Sequence, residues 1–230
     1  MKYRRFRILA FLTLLPVAAA HAQEGKTWSL QYSGSPFIAP ILTSNPSGIH
    51  TGTHSSAFAY TGEYYLSEKW HLQGGYFRTD ISYGNAERTM EGWQSGVKRY
   101  FLDPHFVFQP YVSGAVQLNW SRHTENIYLP MHQGTINPRL SLVPGIGAEF
   151  YMFSSVAFMI EYDFNMGLHS STALDVQRAD RIADKGMFHH LQLGVKVAFP
   201  LRFTEEDGQM VRGFLSAVWS AMWDAILHND

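Results

Sequence analysis

Among the residues able to do chemistry, the stretch His169-Ser170-Ser171-Thr172-Ala173 draws attention first, because an imidazole and hydroxyls are close neighbours in it. A serine hydroxyl is a weak nucleophile until a base takes its proton, and an acidic group then has to orient that base. Asp175 and Asp180 follow in the chain. The plainer reading is a polar loop beginning after Leu168. A second candidate is Glu161 with Asp163, which at i and i+2 share one face of a strand. Such a pair can act as acid and base in glycoside hydrolysis. A network of interior ion pairs explains it more simply. His189-His190 suggests a metal, yet adjacent strand residues point to opposite faces and do not readily share one ion. His105, His123 and His132 are scattered over turns and loops and read as ordinary polar surface. The chain has no cysteine, which excludes disulfides, thiolate zinc sites and a cysteine nucleophile. No phosphate loop, zinc motif or nucleotide fingerprint occurs, so no cofactor and no metal site is expected.

These residues depend on the elements that carry them, and composition constrains those. The 230 residues are 46% hydrophobic and 15% aromatic but only 16% charged, against about 25% charged in soluble domains. Mean hydropathy is −0.15, which argues against a bundle of membrane helices with apolar runs of about 20 residues each. The N-terminus is an address. Lys2, Arg4, Arg5 and Arg7 precede an apolar stretch that ends in Ala20-His21-Ala22, an A-x-A cleavage site, so residues 1–22 read as a signal peptide. Its removal leaves 14 basic residues of the original 18 against 19 acidic ones, a net charge of −5. Nothing basic remains to attract nucleic acid.

From Trp28 onward the period is two. Trp28, Leu30 and Tyr32 alternate with polar residues, and so do Phe58-Tyr60-Gly62-Tyr64, Trp93-Ser95-Val97, Val112-Gly114-Val116-Leu118, Leu140-Leu142-Ile146-Phe150, Phe158-Ile160-Tyr162-Phe164 and Leu193-Val195-Val197-Phe199. A less regular strand starts at Trp70 and leaves Arg78 near a boundary. The tally is about eight long strands. Tight turns at 67–69, 103–105 and 153–155 alternate with longer loops at 35–53, 82–88, 122–136 and 169–185. The face opposite the apolar one carries Glu63, Lys98, Arg139, Glu149, Glu161, Asp163 and Lys196, with Gly74, Gly75, Gly96, Gly114, Gly145, Gly147 and Gly194 in or beside it. That pattern predicts an all-β fold, a closed antiparallel up-and-down barrel with its apolar side facing lipid. A barrel of about eight strands is filled by its own side chains, which disfavours a diffusion pore. Trp28, Tyr32, Tyr64, Trp70, Tyr100, Trp120, Tyr151 and Tyr162 are expected to form aromatic girdles.

The last strand, Gln192-Leu193-Gly194-Val195-Lys196-Val197-Ala198-Phe199, resembles the signal that barrel-assembly machinery reads on a closing strand. With the leader and the repeated alternation, the chain resembles the small Gram-negative outer-membrane β-barrels, of the outer-membrane protein X and protein A types, over about residues 26–203. The resemblance implies a place in the outer membrane, contact with its lipids and insertion by that machinery. The His-x-Ser context also resembles the lipid A deacylases of the outer membrane. That second resemblance implies Ser171 as nucleophile and His169 as base. The sequence departs from it in two ways, since no Glu lies between His169 and Glu205 and Thr172 stands where the family has Asn. Asp175 or Asp180 would have to substitute for the missing acid.

The organisation read from the sequence is therefore a leader at 1–22, a barrel at 23–203 and a tail at 204–230. In the tail Val211, Phe214, Leu215, Val218, Met222 and Ile226 follow a helical period. The expected role is a structural or surface-interaction one, non-enzymatic, exercised by extracellular loops toward a ligand the sequence does not specify. A lipid A deacylase and a narrow small-solute channel are the alternatives.

Overall fold

The computed structural model describes residues 26–44, 55–83, 86–121, 124–126, 137–168, 172–177, 180–201 and, in the tail, 205, 207–209, 212, 213 and 216. The leader at 1–22 lies outside them. Among the described residues there are ten strands: β1 (Trp28–Ser44), β2 (Ser56–Tyr65), β3 (Trp70–Tyr83), β4 (Ala86–Tyr100), β5 (Phe108–Asn119), β6 (Thr124–Asn126), β7 (Leu140–Phe153), β8 (Val156–Leu168), β9 (Thr172–Gln177) and β10 (Asp180–Phe199). Eight of them run antiparallel in the order β1-β2-β3-β4-β5-β7-β8-β10. Pairing of β1 with β10, from Trp28 opposite Phe199 to Ser44 opposite Ala183, closes the sheet. The short β6 pairs with the upper end of β4, and β9 pairs with the start of β10.

Through most of its height the barrel is inside out. Leu30, Tyr60, Leu72, Trp93, Val116, Ile146, Phe158, Ile160 and Leu193 are exposed on the outer face. The residues between them in sequence, such as Gln31, Thr61, His71, Lys98, Gln117, Glu149, Glu161 and Lys196, are buried inside. A soluble protein would reverse this arrangement, and a lipid-embedded one requires it.

Toward the end away from the tight turns the chemistry inverts while the register continues. On β3 the outward series Trp70, Leu72, Gly74 and Tyr76 passes into Arg78 and Asp80, whose side chains form an ion pair at 3.0 Å. The inward series His71, Gln73 and Gly75 passes into Phe77, Thr79 and Ile81. Phe77 and Ile81 join Ile38, Ala59, Met90 and Phe188 in an apolar cluster inside the barrel. Above the lipid the outer face meets water, so apolar side chains turn to the lumen.

This inversion corrects several expectations. The segments 35–44, 82–83, 86–88, 172–177 and 180–185, read as loop, are strand. Ile38 in the first of them, and Ile81 just before the second, face inward, on the side expected to be polar, which hid the continuation. Gly74 and Gly114 belong to the outward series. Arg139 is exposed at the upper end of β7 and does not enter the lumen. Tyr100 and Tyr151 are not girdle residues; each is 1% exposed and points inward. Their strand phase is that of Lys98 and Glu149, two residues earlier. Trp28, Tyr32, Tyr64, Trp70, Trp120 and Tyr162 do lie on the outer surface.

The tight turns are tied together. Ser67 Oγ accepts from the backbone N–H of Trp70 at 3.2 Å, and Lys69 Nζ reaches Asp103 Oδ1 at 2.9 Å. The hydrogen bond from Lys69 holds the Asp103 carboxyl below the usual carboxylate range. The tail docks on this same end, at the β7–β8 turn. Asp207 is 1% exposed and accepts hydrogen bonds from the Ser154 N–H at 3.0 Å and the Ser154 hydroxyl at 2.6 Å. All the described tail positions are helical: 212, 213 and 216 fall within the expected helix, and 205 and 207–209, expected to precede it, are helical as well. Truncation after Phe203 should leave a closed, heat-modifiable barrel, since every β1–β10 pair is retained. Its unfolding midpoint in urea should fall, with the two lost bonds worth about 1–3 kcal/mol. Loss of barrel assembly in that truncation would show that the tail belongs to the fold itself.

Candidate functional site

The charged residues of the inward face converge at one level of the lumen. Glu63 comes from β2, Lys98 from β4, Glu149 from β7 and Lys196 from β10, and all four side chains are 0% exposed. Lys196 Nζ lies 2.7 Å from Glu63 Oε2 and 3.0 Å from Glu149 Oε2. Lys98 Nζ lies 2.5 Å from Glu63 Oε1 and 3.7 Å from Glu149 Oε1. The four form a ring in which each charge has two opposite neighbours.

Buried ions are tolerated only where geometry is good and the remaining lone pairs and protons are satisfied. Both conditions are met here. Tyr100 and Tyr151 donate to the two oxygens of Glu149 at 2.6 and 3.1 Å. Ser29 donates to Glu63 at 3.3 Å, and Gln31 accepts from Lys98 at 2.9 Å. Lys98 also stands over the Tyr111 ring, 4.6 Å from its centroid, and Lys196 over the Tyr65 ring at 5.2 Å. Gly147 on β7 leaves the space for Tyr111, because a Cβ there would sit 2.6 Å from the phenol oxygen. The charged ring and its tyrosine collar fill the section they occupy.

A second polar level lies further from the tight turns. Glu161 accepts from Tyr111 Oη at 3.0 Å and from Ser113 Oγ at 2.5 Å. Asp163 accepts from Gln192 Nε2 at 2.6 Å. The apolar cluster of Ile38, Ala59, Phe77, Ile81, Met90 and Phe188 adds a further level inside the barrel. At its edge, opposite Ile81, Arg88 is fully buried and donates from Nε to Asn137 Oδ1 at 2.7 Å.

The sequence candidates are distributed differently. Glu161 and Asp163 do share one inward face, as their spacing implied. His189 and His190 do face opposite ways. His189 lies outside, with Nδ1 2.5 Å from Tyr162 Oη and its ring stacked on Phe164. His190 is buried in the lumen. His105 is an exposed turn residue, while His123 and His132 lie outside the described residues. His169, Ser170 and Ser171 also lie outside them. Asp175 belongs to β9 and Asp180 opens β10. The tyrosine collar was missed by the sequence reading. The signal for it was the i, i+2 spacing of Tyr100 from Lys98 and of Tyr151 from Glu149.

No family model and no curated protein matches the chain. Solved structures do. Neisserial surface protein A is 12% identical, with 75% of this chain and 97% of that one covered and a TM-score of 0.53. The outer membrane protein OprG from Pseudomonas aeruginosa is 10% identical, covering 78% and 98%, with a TM-score of 0.44. Outer Membrane Protein W of E. coli is 11% identical, covering 76% and 99%, with a TM-score of 0.45. The first of these shares the fold of this chain. With a closed sheet, an apolar outer surface and a charged lumen, the chain has the fold of the small eight-stranded outer-membrane β-barrels, and its outer face suits a lipid bilayer.

Proposed function

We propose that the protein is a non-enzymatic surface-interaction barrel whose extracellular loops, carried on strands that rise above the lipid, contact a ligand outside the cell. The observation that carries this reading is the filled lumen. The ring of Glu63, Lys98, Glu149 and Lys196 takes up the section that a solute would have to cross. The strand ends above the lipid have polar outer faces, as at Arg78 and Asp80, and suit a rigid stand for loops. On this reading residues 1–22 direct export, and the strand ending at Phe199 is presented to the barrel-assembly machinery.

Three measurements separate this role from its alternatives. Cells carrying the intact protein should adhere to at least one of a panel of coated surfaces more than cells carrying a form with residues 45–54 and 127–136 shortened; equal adhesion throughout would count against the reading. The purified barrel in a planar bilayer should show no steady conductance; a stable open level would support the channel. Lipid A from cells with the wild-type protein and with Ser171→Ala should have the same acylation by mass spectrometry. Loss of one acyl chain dependent on both Ser171 and His169 would make the protein a deacylase.

A further inference from the structure

Arg99 is the next-to-last residue of β4, at the end of the barrel that carries the tight turns, and it shares the outward phase of Trp93 and Val97. The outward positions around it are apolar. Val97 and Phe101 lie two residues before and after it, Trp70 faces it on β3 and Val112 faces it on β5, and all four side chains are exposed. The guanidinium stands over the Trp70 ring, 5.4 Å from its centroid. Among the described residues it has no hydrogen bond and no carboxylate partner. Asp103, on the turn that follows, is held by Lys69 at 2.9 Å.

The other outward arginine of this hairpin is a contrast. Arg78 lies above the lipid, pairs with Asp80 on its own strand and stands opposite Glu91. Its charge is answered by the protein, whereas that of Arg99 is not. A cation framed by apolar side chains is costly against hydrocarbon. The frame of Trp70 and Phe101 belongs to the aromatic belt, where head groups begin and where a long side chain reaches out of the hydrocarbon. The anion a bilayer supplies at that depth is the phosphate of its lipids. A guanidinium offers a phosphate two parallel hydrogen bonds from one planar fork, and the contact with Trp70 helps to hold that fork in place. Residues 23–230 carry 14 basic side chains against 19 acidic ones. Overall charge therefore repels anionic lipid, and a preference for it has to come from a local site.

We propose that Arg99, backed by Trp70, binds the phosphate of a glycerophospholipid in the leaflet at the tight-turn end of the barrel. The site favours a head group without a cation of its own, such as phosphatidylglycerol. In phosphatidylcholine the trimethylammonium already offsets the phosphate, and the guanidinium gains less from it. The apolar frame selects a lipid over a free phosphate, because Val97, Phe101 and Val112 give the acyl chains a surface next to the head group. The site lies at the opposite end from the extracellular loops, so it stands or falls apart from the surface-interaction role.

The test uses the full-length exported protein in neutral detergent micelles, with phosphatidylglycerol or phosphatidylcholine of the same acyl chains added. Native mass spectrometry should show one phosphatidylglycerol retained in preference to phosphatidylcholine. Arg99→Gln should weaken that retention roughly tenfold. Trp70→Leu should weaken it about two- to fivefold. Arg78→Gln should leave it unchanged. Equal retention of the two lipids by the wild type would mean an arginine solvated by water, and would overturn the proposal. An equal loss in Arg78→Gln would do the same, since overall charge would then explain the preference. Displacement of the lipid by an equal concentration of glycerol phosphate would make this a free-phosphate site and refute the lipid assignment. Heat-modifiable gel mobility checks that the variants are folded. If Arg99→Gln did not fold, the wild type would decide alone: the Arg99 Nε resonance should shift with phosphatidylglycerol and not with phosphatidylcholine, and no shift would refute the site.

Discussion

Replacing Lys196 by methionine is expected to remove about 3–5 kcal/mol of folding stability. Lys196 Nζ contacts both glutamates of the ring, Glu63 at 2.7 Å and Glu149 at 3.0 Å, and hydrogen-bonds Tyr100 Oη at 3.1 Å. Methionine fills much of the same volume and carries no charge. Two carboxylates then share Lys98, which lies 3.7 Å from Glu149. The loss comes chiefly from leaving one buried charge uncompensated, more than from the attraction removed. The pair Lys196→Met with Glu149→Gln should therefore recover part of the loss, because one cation and one anion remain. Urea titration of the heat-modifiable band measures both variants. A single-variant cost below about 1 kcal/mol would mean that water reaches the ring and screens it, as at exposed ion pairs.

Arginine at Ile160 should cost about 2–4 kcal/mol in a bilayer, with a similar value at Val116. Ile160 is 40% exposed on the outer face, and its strand neighbours are Leu193 on β10 and Ala148 on β7. Val116 is equally exposed, with Leu142 and Ser95 beside it. Neither position offers a carboxylate across the strand to receive the guanidinium. Folding yield and urea midpoint in lipid vesicles are the readouts. Assembly of Ile160→Arg as efficient as that of wild type would mean that this face does not meet hydrocarbon, and the inside–outside assignment would have to be reversed.

The lipid-facing strands were legible because the two solvents of this fold write a strict alternation. Phe158, Ile160, Tyr162 and Phe164 against Met159, Glu161, Asp163 and Asn165 give both the strand and its phase. The continuation above the lipid was not legible. Phe77, Ile81, Met90 and Phe188 carry the opposite chemistry at an unchanged phase, so a rule of apolar outside and polar inside ends the strand too early. The ring was legible as a set of inward charges but not as pairs. Which lysine meets which glutamate depends on the stagger between strands distant in sequence, such as Lys196 and Glu149, and on side-chain reach across the lumen. The tyrosines mislead for another reason: residue type suggests a girdle, while the phase of Tyr100 and Tyr151 assigns them to the interior.

The inversion along β3 makes a pairing error unusually costly. A one-residue slip sends every side chain of a strand to the other face. In a barrel of uniform polarity the penalty is a single kind of mistake, polar groups facing hydrocarbon. Here a slipped β3 would turn His71 and Gln73 toward lipid while also pushing Arg78 and Asp80 into the apolar cluster and turning Phe77 and Ile81 out to water. The two halves of the strand thus proofread each other. A misaligned hairpin is rejected at both depths, whichever end of it enters the membrane first.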